Sequence, residues 1–336
     1  MRALAIISSL MLSAAACDAS TVLDRIHSRD KINCGINNDT PGFSTPDRQG
    51  HFTGITPDLC RAIGAAILGD SKKVSFILAP AASDIPNLQV GNTDILTKAN
   101  EYTLNRDSNL GIRNVVNWFI DYQAIAVRKK LNIKKIQDLQ DATFCLVQGN
   151  GTEINLAAWM KIQGINYKVV TYSDGRIAQD AFLEGRCDAL TQDRFLLVSG
   201  LQYRDIKGET EALEFNIADK IYGIAVSKGN QDLEDAIRWI WNWLLKAEEL
   251  GITQDNIDER INNIEDPRIK RLFNTSDDYW RKIGLHPRWA YNVIKQVGNY
   301  GELYDKHFTN SIIKFPNRGS NRLLKDGGTL VPSNFW

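Results

Sequence analysis

The sequence predicts an α/β protein of two lobes joined by two crossovers. Three observations carry that reading. Strand and helix patterns alternate from residue 31 and do so again after residue 141. Two long alternating strands, "DYQAIAVRKK" and "KIYGIAVSKG", bracket residues 130 to 219, so one lobe is inserted into the other. The chain from "DLEDAIRWIWNWLLKAEELG" onward is mostly helical. With 336 residues, 43% hydrophobic and 24% charged, two cores are affordable.

In the first half, "KINCGI" reads as a short strand. "TPDLCRAIGAAILGD" follows as a helix with Thr56 at the N-cap, Pro57 at the first helical position and Gly69 as the stop. Its apolar positions Leu59, Ile63, Ala66 and Ile67 share one face, which packs on a sheet. "KVSFIL" is a strand, "DIPNLQVG" a short helix and "TDIL" a strand. Strand, helix, strand in this order makes a parallel sheet.

The second half repeats the logic. "ATFCLVQ", "YKVVTY" and "CDALTQD" are strands, separated by the helices "GTEINLAAWMKIQG" and "RIAQDAFLEG". Beyond it, Ile237, Ile240, Trp241, Leu244 and Leu245 form a wide apolar helical face suited to core packing. The expected division is a leader at 1–19, the first part of lobe 1 at 20–124, lobe 2 at 125–222, and at 223–336 a return to lobe 1 plus a helical extension.

The opening residues "MRALAIISSLMLSAAACDAS" have the layout of a secretory signal. The apolar run from Ala3 to Leu12 is too short to span a bilayer, and Ala14 and Ala16 fit the small-x-small cleavage rule. Cleavage after Ala16 would expose Cys17 and raise a lipid anchor as an alternative. Export permits disulfides. Apart from Cys17 the cysteines are Cys34, Cys60, Cys145 and Cys187, which allow three pairings. The lobe organisation selects Cys34 with Cys60 and Cys145 with Cys187, one bridge per lobe. The bridges would close loops of about 26 and 42 residues, contributing roughly 3 to 4 kcal/mol each.

Forty basic and forty acidic side chains cancel, so the overall field favours neither nucleic acid nor an anionic membrane. No serine elbow, HExxH, Walker loop or complete GxGxxG occurs, and the four histidines are scattered. No cofactor or metal is implied. The polar signals sit instead at carboxyl ends of strands, where open α/β sheets bind ligands. They are "LTKANEYTLNRD", "QGNGTE" and "TQD".

A free amino acid fits these groups. Its two charges must each be matched on leaving water. Arg106 offers a planar fork for a carboxylate. The turn Gly149, Asn150, Gly151 and Thr152 offers backbone N–H groups at a helix start. Asp193, at a strand tip, offers an acceptor for the ammonium.

These residues resemble the periplasmic solute-binding proteins of family 3, and most closely its general L-amino-acid-binding members. The carriers are "CGIN", "PGFS", "GDSKKVSF", "YTLNRD", "QGNGTEINLA", "GRCDALTQD", "KAEELGIT" and "KQVGNYGE". The resemblance implies a two-lobed periplasmic binding protein fold of type II. It also implies a non-catalytic, monomeric periplasmic subunit that hands L-amino acids to the permease of an ABC importer. By position, it assigns the ligand carboxylate to Arg106 and the ammonium to Asp193. Glu101, Ala99, Asn37 and the turn at 149–152 line the site, with Phe43 either an apolar wall or core.

Three departures bear on specificity. Glu101 and Gly151 stand where hydroxyl residues are usual, and Asp84 stands at an often basic position near the pocket rim. A carboxylate at 101 would repel a ligand carboxylate or pair with Arg106, which predicts a shift towards cationic or polar amino acids. The competing class is a dehydratase-like enzyme on the same scaffold, with Glu101 as its only nominee for acid or base. A receptor or adhesin without transport is the third.

Overall fold

The computed structural model describes residues 21–336 apart from 39, 81–82, 99–100, 149–150, 275, 277, 312–314, 316 and 336. The signal, Cys17, Ala99, Gly149 and Asn150 therefore lie outside the described residues. In chain order the elements are α1 (Val22–Arg29), β1 (Ile32–Ile36), β2 (Thr45–Pro46), β3 (Phe52–Thr53), α2 (Ile55–Leu68), β4 (Val74–Leu78), α3 (Asp84–Gln89), β5 (Ile95–Leu96), α4 (Leu104–Asn109) and β6 (Ile112–Arg128). They continue with β7 (Thr143–Val147), α5 (Gly151–Gln163), β8 (Lys168–Tyr172), α6 (Gly175–Leu183), β9 (Ala189–Asp193), α7 (Arg194–Arg204) and β10 (Thr210–Ser227). The extension holds α8 (Gln231–Glu249), α9 (Ile257–Asn262), α10 (Pro267–Arg271), α11 (Trp289–Gln296) and α12 (Tyr300–Tyr304).

One eight-stranded sheet runs β4-β1-β5-β10-β6-β9-β7-β8. Its two ends are the parallel pairs expected of each half: β1 pairs with β4 and β5, and β7 with β8 and β9. In the middle, β6 and β10 pair antiparallel from one lobe into the other. These are the two crossovers, longer than the sequence suggested because both strands begin or end well inside each lobe.

Burial follows the two-residue period of the crossover strand. Ala124 and Ala126 pack with Cys145, Phe182 and Leu190 on one face of the lobe 2 sheet, under α6 and α7. Ile125 and Val127 pack with Phe144, Leu156 and Met160 on the other, under α5. Lobe 1 has one larger core, in which α2, α8 and the extension bury Ile63, Trp118, Trp243 and Trp289. The extension is fixed to β6 by polar bonds as well. Tyr300 donates to the Trp118 carbonyl at 2.9 Å, and the Asn321 amide pairs with both backbone groups of Ile120.

The start of α2 differs from expectation. Gly54, not Thr56, is the N-cap, at φ 132°. A Cβ there would stand 2.1 Å from the Phe43 carbonyl oxygen, so only glycine lets the chain pass. Thr56 lies in the first turn and donates its hydroxyl to that same carbonyl at 3.0 Å. Gly69 ends the helix in the left-handed region as expected.

Both disulfides join the anticipated partners, with Cα separations of 6.3 Å for Cys34–Cys60 and 5.6 Å for Cys145–Cys187. Among the described residues no helix is long and apolar enough to cross a membrane.

Candidate functional site

The stretch from Thr97 to Asp107 leaves the end of β5 and crosses to α4. Thr103 caps α4 by accepting from the Arg106 N–H. The cap holds Arg106 against the preceding turn, where its guanidinium donates to the Glu101 carbonyl at 3.1 Å.

Glu101 forms an isolated bridge with Tyr222 on β10. Its carboxylate does not pair with Arg106. It meets Lys220, whose Nζ lies 3.2 Å away. The same ammonium lies 3.7 Å from Asp193 Oδ1, while the Tyr222 hydroxyl donates to Asp193 Oδ2. Lys220 is only 2% exposed, so it is a buried cation matched by two carboxylates.

Burial raises the Asp193 carboxyl above its usual range, while Lys220 and Tyr222 oppose the rise. Burial, together with Asp193, also holds the Tyr222 phenol well above its ordinary value. The Tyr222 phenol therefore keeps the proton that it donates to Asp193.

The first turn of α5 abuts this cluster. A Cβ on Gly151 would lie 3.5 Å from Glu101 Oε2 and 3.8 Å from Lys220 Nζ, which is ordinary contact distance. The Thr152 carbonyl accepts from the buried Gln123 amide, which also donates to Thr191. Lys220 thus joins Glu101 to Asp193, with Gly151 beside it, while Arg106 is tied in at the Glu101 carbonyl and Thr152 through Gln123. Lys220 was missed in the sequence; a lysine inside the otherwise apolar "KIYGIAV" was the available signal.

Asp84 is elsewhere. It is buried in lobe 1, where Lys98 pairs with it at 2.6 Å and also donates to the Ala79 carbonyl. This corrects the pocket-rim placement: Asp84 is a buried carboxylate already matched by Lys98 and is not among the described residues that line the cavity between the lobes. Phe43 is core, 1% exposed, with its ring 4.3 Å from that of Phe195 across the lobe boundary.

Beside the cluster lies a cavity of about 950 Å³ with walls from three regions. Asn37, Thr40 and Thr53 belong to lobe 1, Arg176, Gln179, Gln192 and Arg204 to lobe 2, and His307, Asn310 and Ser311 to the extension. Of the described site residues expected from sequence, Asn37 lines it, and Glu101, Arg106, Gly151, Thr152, Asp193 and Asp84 are not among its described lining residues. Strand alternation explains the split: Gln192 points to the α6 side of β9 and into the cavity, whereas Asp193 points to the α5 side.

A chain of two lobes on paired crossover strands, with a polar cavity between them, belongs to the solute-binding class. Residues 32–256 match the model of bacterial extracellular solute-binding proteins, family 3, and the chain is a member of that family. It is 35% identical over 322 residues to the general L-amino acid-binding periplasmic protein AapJ of Rhizobium johnstonii, covering 95% of this chain and 94% of the relative. It is 32% identical over 324 residues to the glutamate/glutamine/aspartate/asparagine-binding protein BztA of Rhodobacter capsulatus, covering 96% of each. Among solved structures, an ABC transporter periplasmic binding protein from Brucella ovis, with glutathione bound, superposes at a TM-score of 0.89. It is 30% identical, covering 95% of this chain and all of that one.

Proposed function

We propose that the protein is the extracytoplasmic solute-binding subunit of an ABC importer and captures L-amino acids, or small molecules built from them, between its lobes. The observation that supports this most directly is the interlobe cavity, whose walls come from both sides of the crossovers. Ligand contact on both walls would favour the closed arrangement, and closure would create the surface that a permease recognises. The solute class follows from the amino-acid-binding relatives AapJ and BztA.

In this reading the boundaries of the inserted lobe fall at residues 125 and 222. The protein is a monomer without catalytic function, exported by the signal at 1–19, with Cys17 as the candidate anchor. Arg106 takes the ligand carboxylate and Asp193 the ammonium, with Glu101, Gly151 and Thr152 beside them and Asn37 on the cavity wall.

The expected cationic preference loses its ground, since the Glu101 carboxylate is matched by Lys220. Nor does the pairing of Glu101 support the dehydratase reading, which needs it free to exchange protons.

The test is calorimetry of the purified mature protein against the twenty amino acids and short peptides, with small-angle scattering to follow closure. Saturable binding of at least one such solute with a decrease in radius of gyration is expected. Absence of binding across the panel would refute the reading.

A further inference from the structure

We propose that the far end of lobe 2 is a docking surface for an anionic lipid bilayer, separate from the lobe boundary and from solute capture. The chain as a whole is neutral, but its basic residues are not evenly spread. The stretch "RKKLNIKK" at 128–135 holds five cations and no acid, a run of the kind that binds anionic lipid headgroups.

The fold gives this stretch a fixed place and shape. It begins as β6 ends. Val127 pairs with Ala189 whereas Gln123 pairs with Asp193, so the stretch lies at the end of the lobe 2 sheet remote from Asp193. Ile133 is buried in the lobe 2 core, and the Asp138 carboxylate accepts from the Lys134 and Lys135 N–H groups at 2.9 and 3.1 Å. Lys130, Lys134 and Lys135 are left exposed. The turn at 205–209 sits against the start of the stretch: the Lys129 N–H donates to the Glu209 carbonyl at 2.8 Å, and the Lys129 ammonium donates to the Gly208 carbonyl at 2.7 Å. That turn adds an exposed Lys207.

Together the two stretches carry six cations against two acids, Asp205 and Glu209. The Asp205 carboxylate is already engaged by the Glu209 and Thr210 N–H groups at 3.1 and 2.8 Å. Positive charge is thus concentrated at one end of a chain whose total is zero.

Aliphatic side chains stand among these lysines. Ile206 is 96% exposed, more than any other large apolar side chain among the described residues, and Leu131 is 38% exposed. Leu131 follows Lys130, and Ile206 precedes Lys207. An aliphatic tip ringed by ammonium groups matches a bilayer surface, where phosphates meet the charges and the tip enters the headgroup layer. A nucleic acid or free phosphate would use the lysines and leave Ile206 in water.

Co-sedimentation with vesicles tests this, using the mature chain from residue 20, which excludes Cys17 and so any lipid attached there. The vesicles are phosphatidylcholine alone and phosphatidylcholine with about 30% phosphatidylglycerol. Binding to the anionic vesicles is expected to be at least ~10-fold stronger than to the neutral ones, and to fall as potassium chloride is raised. Combining Lys130→Gln, Lys134→Gln, Lys135→Gln and Lys207→Gln should lower it ~10-fold or more. Ile206→Ser, at unchanged charge, should lower it ~3-fold or more. All these side chains are exposed, so both variants should keep the parent's melting temperature and its amino-acid binding. Equal binding to both kinds of vesicle, or none to either, would overturn the proposal, as would anionic-vesicle binding unaltered in the lysine variant. Parent-like binding by Ile206→Ser would overturn it too, because the surface would then read charge alone, as for a polyanion or an acidic protein.

Discussion

Lys220 and Glu101, 119 residues apart, meet at 3.2 Å and join a crossover strand to the turn before α4. The same lysine reaches Asp193 in lobe 2, so a single ammonium bridges carboxylates from the two sides of the boundary.

Replacing Lys220 with Met should leave both acids facing one another without a cation. Breaking a buried ion pair from one side costs about 3–5 kcal/mol, and the partial exposure of Glu101 reduces this to about 2 kcal/mol. The double variant Glu101→Gln with Lys220→Met should lose about 1 kcal/mol less than the sum of the single losses. Urea unfolding of the four proteins measures this, and strict additivity would show that the contact contributes nothing.

Arg106→Gln and Asp193→Asn should each weaken amino-acid binding by ~10-fold or more, the loss of one charge-assisted hydrogen bond. The two should differ by ligand: Arg106→Gln would weaken every carboxylate, whereas Asp193→Asn would spare analogues without an ammonium. Titration with an L-amino acid and its hydroxy-acid counterpart separates the roles, and equal losses for both ligands in Asp193→Asn would remove its assignment.

Stability should fall as pH rises from about 4 towards neutrality. Burial, opposed by the Phe195 N–H and assisted by Asp193, pushes the Asp121 carboxyl up to about 7. An unfolded aspartate ionises near about 4. Between these values the unfolded chain has released its proton and the folded one has not, so each step up in pH favours unfolding. The contribution of Asp121 is whole below about 4 and lost above about 7. Asp58 works in the opposite sense: burial would raise it, but His307 and Lys306 hold it well below the carboxylate range, so its contribution fades as pH falls below about 4. Melting temperatures at pH 5 and pH 8 should therefore favour pH 5, and Asp121→Asn should shrink that difference. An unchanged difference in Asp121→Asn would contradict the account.

Phe43→Ala should cost about 3–5 kcal/mol, as for other fully buried aromatic rings. Its ring touches those of Trp118, Phe119, Phe195, Tyr222 and Phe308, drawn from both lobes and the extension. Equilibrium unfolding measures the cost, and a loss under about 1 kcal/mol would mean that the cluster relaxes around the gap.

The regular elements were legible because period and punctuation agreed. Cys34 and Cys145 lie on strands whose apolar pattern is unambiguous, and Gly69 stops α2 where a left-handed residue is needed. What escaped was what no local pattern encodes. Gly54 caps α2 because Phe43 crosses above it, a contact set by the fold. Lys98 and Asp84 meet across a turn, so their pairing could not be separated from a pocket-rim charge. The polar strand ends pointed to Arg106, Asp193 and Thr152, and the structure gathers these with Glu101 and Gly151. The cavity wall of Arg176, Gln179 and Arg204 went unnoticed because α6 and α7 read as ordinary amphipathic helix surface.

Each sulfur–sulfur bond stays on its own side of β6 and β10. Oxidants and reductants can therefore toughen or soften either half, and among the described cysteines none ties one lobe to the other. On the proposed function, closure would rest on non-covalent contacts, which a bound solute would tip.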